Sequence, residues 1–132
     1  MYDEVRIYAI PPKNFKDATE FRDYLLKRLP RQRYIFYFEK HGIRCEDNAL
    51  IYFQYDNYII AKAVVETRIK LKLYLQKGTV DIARRKVLTS ELGVHWFPKG
   101  DPTKSRLLIN YVQMGPLFID PADAEIIDSK CF

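Results

Sequence analysis

The chain has 132 residues, of which 48% are hydrophobic and 30% are charged, a composition that suits one domain with a core and excludes a disordered protein. The formal net charge of +5 favours an acidic partner, and nucleic acid is the commonest one. No apolar run has the length of a membrane span, and no secretory signal is expected. Cys45 and Cys131 lie far apart in sequence, which predicts free thiols in a cytoplasmic protein.

The charges are unevenly distributed along the chain. Residues 27–44 carry six basic side chains against Glu39, and residues 62–86 carry eight against Glu66 and Asp81. After Phe118 the sign reverses, because acidic residues outnumber the basic ones there. This distribution predicts a protein with one basic side, although a solvated face without a ligand would show the same pattern.

The first third of the chain predicts a strand, a helix and a second strand. Val5–Ile10 is strand-like and is ended by Pro11-Pro12. Apolar residues then recur at helical spacing from a cap at Asn14 to Leu29, and Pro30 ends the helix. Tyr34–Phe38 has the aromatic composition of a strand.

The clearest signal is a β-hairpin over Ala49–Glu66, whose two apolar runs are separated by Asp56-Asn57. Both central residue types tolerate the positive φ of a two-residue turn. Such a turn pairs Tyr55 with Tyr58, Phe53 with Ile60 and Ile51 with Lys62, with Val64 on the face of Phe53. Both faces of the hairpin are largely apolar, which predicts that the strands are buried on both sides.

The second half of the chain gives weaker signals. Its predicted elements are a strand at Ile69–Leu75, a short extended run at Thr79–Ala83, a short helix or loop at Val87–Leu92, an aromatic loop at Gly93–Pro102, a core strand at Leu107–Val112, a turn at Gly115-Pro116 and a helix at Pro121–Ile127 capped by Asp120.

The sequence offers little for catalysis. It has no Gly-rich phosphate loop, no G-x-S-x-G elbow and no C-x-x-C or H-x₃₋₅-H pair, so we predict a non-enzymatic protein without cofactor or metal. Two enzymatic alternatives stay open. One is a magnesium-dependent nuclease centre, which the set Asp56, Glu66 and Arg68 weakly resembles. The other is an acid–base pair for RNA cleavage, formed by His41 and His95.

Aromatic and basic residues alternate in two segments, 31–37 and 95–106. Stacking of bases on aromatic rings and neutralisation of phosphates by Lys and Arg are what a nucleic-acid surface requires. The predicted phosphate-binding residues are Arg31, Arg33, Lys99, Lys104 and Arg106. Trp96 lies in the second segment, where packing on the core is the competing explanation.

The order strand, helix, aromatic strand and hairpin, with the hairpin phrases Ala49-Leu50-Ile51-Tyr52-Phe53 and Tyr58-Ile59-Ile60-Ala61-Lys62-Ala63, resembles the PUA-like superfamily, which includes ASCH, EVE and YTH domains. Glu46-Asp47-Asn48 stands where that family often has Gly-Asp, which is a departure from the pattern. The resemblance covers the first half of the chain. It implies a small pseudo-barrel with flanking helices that binds RNA, or DNA carrying a modified base.

In the EVE and YTH branches a flipped base enters an aromatic pocket. By this analogy the predicted base-stacking residues are Trp96, Tyr34, Phe36, Tyr37 and Tyr55. The pocket would have to offset the few kcal/mol that base flipping costs.

The sequence therefore predicts one α+β domain over residues 1–132: a small, strongly bent mixed sheet of five to seven strands, or a PUA-like pseudo-barrel, with two or three flanking helices. The predicted function is a nucleic-acid-binding module, a reader of a modified base as in modification-dependent restriction proteins, alone or with other domains. The alternatives are a small metal- or histidine-dependent nuclease and a protein-binding inhibitor or assembly module.

Overall fold

The computed structural model describes residues 2–38, 44–109 and 117–132 and has an α+β fold. The strands of this part of the chain are β1 (Val5–Ala9), β2 (Ile35–Tyr37), β3 (Leu50–Tyr55), β4 (Tyr58–Ile69), β5 (Lys72–Leu75), β6 (Asp81–Ile82), β7 (His95–Phe97), β8 (Arg106–Leu107) and β9 (Leu117–Ile119). The helices are α1 (Ala18–Asp23), which continues as a π-helical turn at Tyr24–Arg28, and α2 (Ala124–Cys131). Short 3₁₀ turns lie at Pro12–Asn14, Pro30–Gln32, Thr89–Glu91, Pro98–Gly100, Pro102–Lys104 and Pro121–Asp123.

The strands form one mostly antiparallel sheet in the order β2-β5-β4-β3-β1-β9-β7-β8, and β6 also pairs with β4. β1 and β3 are parallel, which makes the sheet mixed as predicted. The described strands do not close into a barrel, so the pseudo-barrel stays a prediction. The nine described strands exceed the predicted five to seven because the segment predicted as an aromatic loop contributes β7, and Leu117–Ile119, where no strand was predicted, contributes β9.

The first helix begins later than the sequence predicted. Asp17, and not Asn14, is the N-cap, because its Oδ1 accepts a hydrogen bond from the Glu20 backbone N–H at 2.9 Å. The helix ends before Pro30, as predicted, since proline cannot continue the hydrogen-bond ladder. It buries Phe21, Leu25 and Leu29 against the sheet; all three side chains are almost inaccessible to solvent.

The hairpin of β3 and β4 is confirmed, including its turn. Asp56 and Asn57 have φ values of 49° and 68°, and Tyr55 pairs with Tyr58. The register then shifts at a bulge, so that Phe53 pairs with Ala61 and not with Ile60. Turn chemistry fixes the nearest pairs, whereas an extra bulge residue moves every later pair by one position.

The bulge changes which residues share a face. Beyond it, Ala61, Ala63 and Val65 join the face of Phe53, while Val64 lies on the opposite face. The prediction that Val64 shares the face of Phe53 is therefore wrong. Burial of both faces of the hairpin is confirmed, because each face contributes to a separate core.

The two cores lie on opposite faces of the sheet. The first core lies under α1 and is rich in aromatic rings, among them Phe21, Phe36, Phe38, Phe53 and Tyr55. The second core lies under α2 and is mostly aliphatic, with members such as Ile7, Leu92, Leu108, Ile119 and Ile127.

Two predictions for the second half need correction. The segment predicted as one strand at Ile69–Leu75 is divided: Ile69 ends β4, Lys70 has a φ of 54° in the turn that follows, and Lys72–Leu75 forms β5. The predicted strand Leu107–Val112 is represented by the short β8, which begins at Arg106, and its end lies outside the described residues. The predicted turn at Gly115-Pro116 lies outside the described residues and stays a prediction.

The helix at the end of the chain is confirmed, with Asp120 as its cap. The Asp120 side chain accepts a hydrogen bond from the Ala122 backbone N–H, and a 3₁₀ turn leads from there into α2.

Candidate nucleic-acid interface

β2, β5 and the end of β4 present a sheet face that neither core covers. We call it the outer face, and its residues are Ile35, Tyr37, Thr67, Ile69, Lys72 and Tyr74. The register places them together: Lys72 lies between Tyr37 and Ile69, and Tyr74 lies between Ile35 and Thr67. The alternate residues of the same strands, such as Phe36 and Leu73, point into the first core.

Aromatic and aliphatic side chains of the outer face are open to solvent. Tyr37 is 50% exposed and Ile69 is 53% exposed, and Leu71 is also exposed in the adjoining turn. Tyr74 is half-buried and lies diagonally across the β2–β5 pair from Tyr37, at a Cβ separation of about 7 Å for such neighbours. Two tyrosines therefore lie on the same face of the sheet as diagonal neighbours.

The outer face is bordered by cations. Lys72 Nζ lies 6.0 Å from the centre of the Tyr37 ring, and Lys70 is exposed in the turn beside it. Arg31 and Arg33 are exposed in the segment that leads into β2. Within residues 2–38, 44–109 and 117–132, no carboxylate forms an ion pair with any of these four side chains. Their charges are available to an anionic ligand.

The sequence predicted part of this surface and missed the rest. Tyr37, Arg31 and Arg33 were predicted as contact residues, whereas Tyr74 and Lys72 were not. The signal for the missed pair is the alternation of Lys72 and Tyr74 with the buried Leu73 and Leu75.

Two of the predicted base-stacking residues belong to the first core. Phe36 is 6% exposed, and its ring stacks on Phe53 with 5.7 Å between ring centres. Tyr55 is 5% exposed, and its hydroxyl donates to the Phe15 carbonyl at 2.7 Å. Tyr34 is half-buried against the same core. This burial corrects the expectation for Phe36 and Tyr55, because neither has a free ring face for a base.

The other predicted segment lies elsewhere on the sheet. Trp96 lies in β7, where it pairs with Arg106 and Ile119 and packs against the second core. Lys99 and Lys104 are exposed in the turns that follow. Five strands separate β7 from β2 in the sheet order. The two predicted segments therefore form separate surfaces and not one pocket.

The residues proposed for a metal-dependent nuclease do not lie together. Asp56 is in the turn before β4 and Glu66 is near the other end of that strand, roughly 25 Å away at the usual rise of an extended chain. Across the described ranges, no three His, Cys, Asp or Glu side chains are grouped so that they could hold a metal ion.

The predicted histidine pair can be described only for His95, because His41 lies outside the described residues. His95 Nδ1 is 3.1 Å from Asp123 Oδ2, and the His95 backbone N–H donates to the same oxygen at 2.8 Å. The imidazole side chain is 45% exposed. Asp123 thus orients the ring and leaves Nε2 directed away from this contact.

Over its described residues the chain is an α+β protein, with two short helices and a mostly antiparallel sheet that does not close into a barrel. No protein-family model, no curated protein and no solved structure matches it significantly. Among the helices of the described ranges, none has both the length and the apolar composition needed to cross a lipid bilayer.

Proposed function

We propose that this chain is a nucleic-acid-binding module that holds a single strand on its outer face. The observation that supports this proposal is the exposed ring of Tyr37 beside Tyr74 and Lys72, on a sheet face that neither core covers. Adjacent tyrosines on a free sheet surface are a stacking platform for unpaired bases, whereas the bases of a duplex have no free faces.

The cations near the two tyrosines supply the electrostatic part of the proposed interaction with nucleic acid. Lys72 lies beside the Tyr37 ring, Lys70 is exposed in the adjoining turn, and Arg31 and Arg33 are exposed in the segment before β2; each phosphate that they neutralise releases counterions. Each stacked base contributes about 1–3 kcal/mol, and this contribution depends little on base identity. The proposal therefore implies strong salt dependence and modest sequence preference.

Recognition of a modified base is a finer proposal, which the PUA-like resemblance supports. Phe36 and Tyr55 are packed in the first core, so a modified base would be recognised on the outer face through Tyr37 and Tyr74. Modified oligonucleotides accordingly form one arm of the test.

Fluorescence anisotropy with labelled single- and double-stranded DNA and RNA, with and without 5-methylcytosine or N6-methyladenine and at two salt concentrations, tests the proposal. We expect single strands to bind more tightly than duplexes. Tyr37→Ala should weaken binding about tenfold, because it removes one stacking ring. Tyr2→Ala is the matched control, since Tyr2 is also exposed but lies outside the outer face. Absence of binding at low salt, or an equal loss in both variants, would contradict the proposal.

A histidine-dependent nuclease is the second candidate, and the contact between His95 Nδ1 and Asp123 favours it. A general base of this kind needs an oriented ring, which Asp123 provides. Cleavage of the labelled strands that disappears in His95→Ala would support this candidate, and intact strands after prolonged incubation would exclude it. A protein-binding module would show little affinity for nucleic acid at physiological salt.

A further inference from the structure

A cleft of about 270 Å³ opens between α1 and the segment that follows β6, beside the turn of the β3–β4 hairpin. Its charged lining is mostly basic. The basic lining residues are Arg22, Arg84, Arg85 and Lys86. Asp56 is the acidic residue among the described residues that line it, and Tyr58, Ile60, Ile82 and Ala83 are among the less polar ones.

The basic segment is held in place by the end of α2. The backbone N–H groups of Arg84 and Arg85 both donate to the Cys131 carbonyl, at 2.8 and 3.1 Å. The Arg85 guanidinium also donates to the carbonyls of Ser129 and Lys130, each at 2.7 Å. Arg85 is therefore occupied as a helix C-cap, and it fixes the position of its neighbours.

The remaining cations of the cleft have no acidic partner in the described part of the chain. Arg22 on α1 and Arg84 form no ion pair there, and Lys86 Nζ lies 4.4 Å from the centre of the Tyr58 ring. Like charges around one concave surface raise its positive potential and attract anions. The cleft is thus electrostatically suited to a ligand with more than one negative charge.

We propose that this cleft is a binding site for a phosphomonoester dianion, carried either by a free nucleotide or by the phosphorylated end of a nucleic-acid strand. Arg22 and Arg84 bind the phosphate oxygens, because guanidinium groups match phosphate in bidentate geometry. Ile60, Ile82 and Ala83 supply an apolar wall for the attached sugar, and Asp56 accepts a hydrogen bond from a sugar hydroxyl. The volume lies just below the roughly 300 Å³ at which typical small-molecule pockets begin, which suits a mononucleotide.

The cleft and the outer face are independent sites. Tyr58 begins β4 and Ile69 ends it, so up to roughly 35 Å of extended strand separates them. Binding in the cleft does not require the outer face to bind nucleic acid. Failure of one proposal is therefore distinguishable from failure of the other.

Titration of the full chain by isothermal calorimetry with AMP, adenosine and inorganic phosphate tests the site. We expect AMP to bind, adenosine to show no binding and phosphate to bind more weakly than AMP. Arg22→Gln and Arg84→Gln should each weaken AMP binding about tenfold, the loss expected for a charge-assisted phosphate contact. Arg28→Gln is the matched control, because it removes the same charge from an exposed arginine outside the cleft.

The control also separates a specific site from general attraction to a basic protein. Equal weakening by Arg28→Gln, or equal affinity for AMP and adenosine, would overturn the proposal. Oligonucleotides with a 5′-phosphate or a 5′-hydroxyl then identify the source of the dianion. Tighter binding of the phosphorylated strand, abolished by Arg84→Gln, supports a strand end, whereas no difference between the strands together with AMP binding supports a free nucleotide. Circular dichroism verifies that the variants, whose substituted side chains are exposed, retain the fold.

Discussion

The two cores on either side of the sheet are held together by different interactions. The first core is a set of aromatic rings in direct contact, with Phe53 between Phe36 and Phe21 at centre distances of 5.7 and 6.1 Å. The second core is mostly aliphatic and includes a polar network in which Asp128 on α2 accepts hydrogen bonds from Tyr52 at 2.7 Å and from Lys62 at 3.0 Å. Packing therefore stabilises one face, and a carboxylate anchors the helix on the other.

This difference shows how a sheet with two buried faces can hold two short helices. An isolated helix as short as α2, with eight residues, is unstable in water, so its docking depends on tertiary contacts. The Tyr52 hydroxyl also lies 3.2 Å from the Ala124 carbonyl, which ties the first turn of the helix to the sheet. We expect the first core to determine overall stability and the polar network to determine whether α2 stays docked.

The largest expected change in the free energy of unfolding comes from a substitution in the first core. Phe53→Ala should lower the free energy of unfolding by about 3–5 kcal/mol, because it removes a fully buried ring and leaves a cavity. Urea unfolding followed by circular dichroism measures the change. Phe53→Leu, which fills most of the space, should cost clearly less. A loss below about 1 kcal/mol for the alanine variant would mean that the ring contacts are not what stabilises this face.

A smaller and more local effect is expected in the second core. Asp128→Ala should cost about 1–3 kcal/mol, because it leaves the Lys62 ammonium and the Tyr52 hydroxyl without their shared acceptor. Amide hydrogen exchange should show that protection is lost first in α2. The matched control is Glu125→Ala, which removes an exposed carboxylate from the same helix. Uniform loss of protection across the sheet would contradict a separate anchoring role.

The third effect appears at alkaline pH. Burial, followed by the hydrogen bond to Asp128, raises the pKa of Tyr52 far above its usual value, and burial raises the pKa of Tyr8 to about 12. In the unfolded chain tyrosine loses its proton near pH 10. Above that pH the unfolded state binds fewer protons than the native state, so the free energy of unfolding falls as the pH rises from 10 through about 12.

Tyr52→Phe separates the contribution of Tyr52 from that of Tyr8 to the loss of stability at alkaline pH. The variant should be less stable at neutral pH by about 1 kcal/mol, the usual net value of a hydrogen bond, and its stability should fall less steeply above pH 10. Urea midpoints measured at pH 8 and pH 11 provide the test. An unchanged slope would show that tyrosines on the first face, such as Tyr8, account for the whole effect.

The sequence predicted those features that depend on neighbouring residues. The Asp56-Asn57 turn, the end of the helix before Pro30 and the Asp120 cap all follow from local backbone chemistry. The bulge in β4 was missed because nothing in Ile59-Ile60-Ala61 distinguishes an extra residue from a paired one. The turn at Lys70 was missed because it has a positive φ without glycine or asparagine.

The candidate site was likewise predicted only where it depends on neighbouring residues. Segment 31–37 indicated an aromatic and basic surface; in the structure Tyr37 lies on the outer face, and Arg31 and Arg33 are exposed in the segment that leads into β2. Composition does not distinguish a ring that faces solvent from one that faces a core, so Phe36 was grouped with Tyr37 although adjacent strand residues point to opposite faces. Tyr74 joins the surface through pairing between strands that are distant in sequence.

The position of β1 in the sheet has a consequence for the order of folding. β1 lies between β3 and β9, so one of its edges pairs with residues 50–54 and the other with residues 117–119. During synthesis, every strand that borders the first core is available once the ribosome has passed β6. At that stage the second edge of β1 still lacks β9 and has open backbone donors and acceptors. The nascent chain therefore carries a template for intermolecular strand pairing until its last strand emerges.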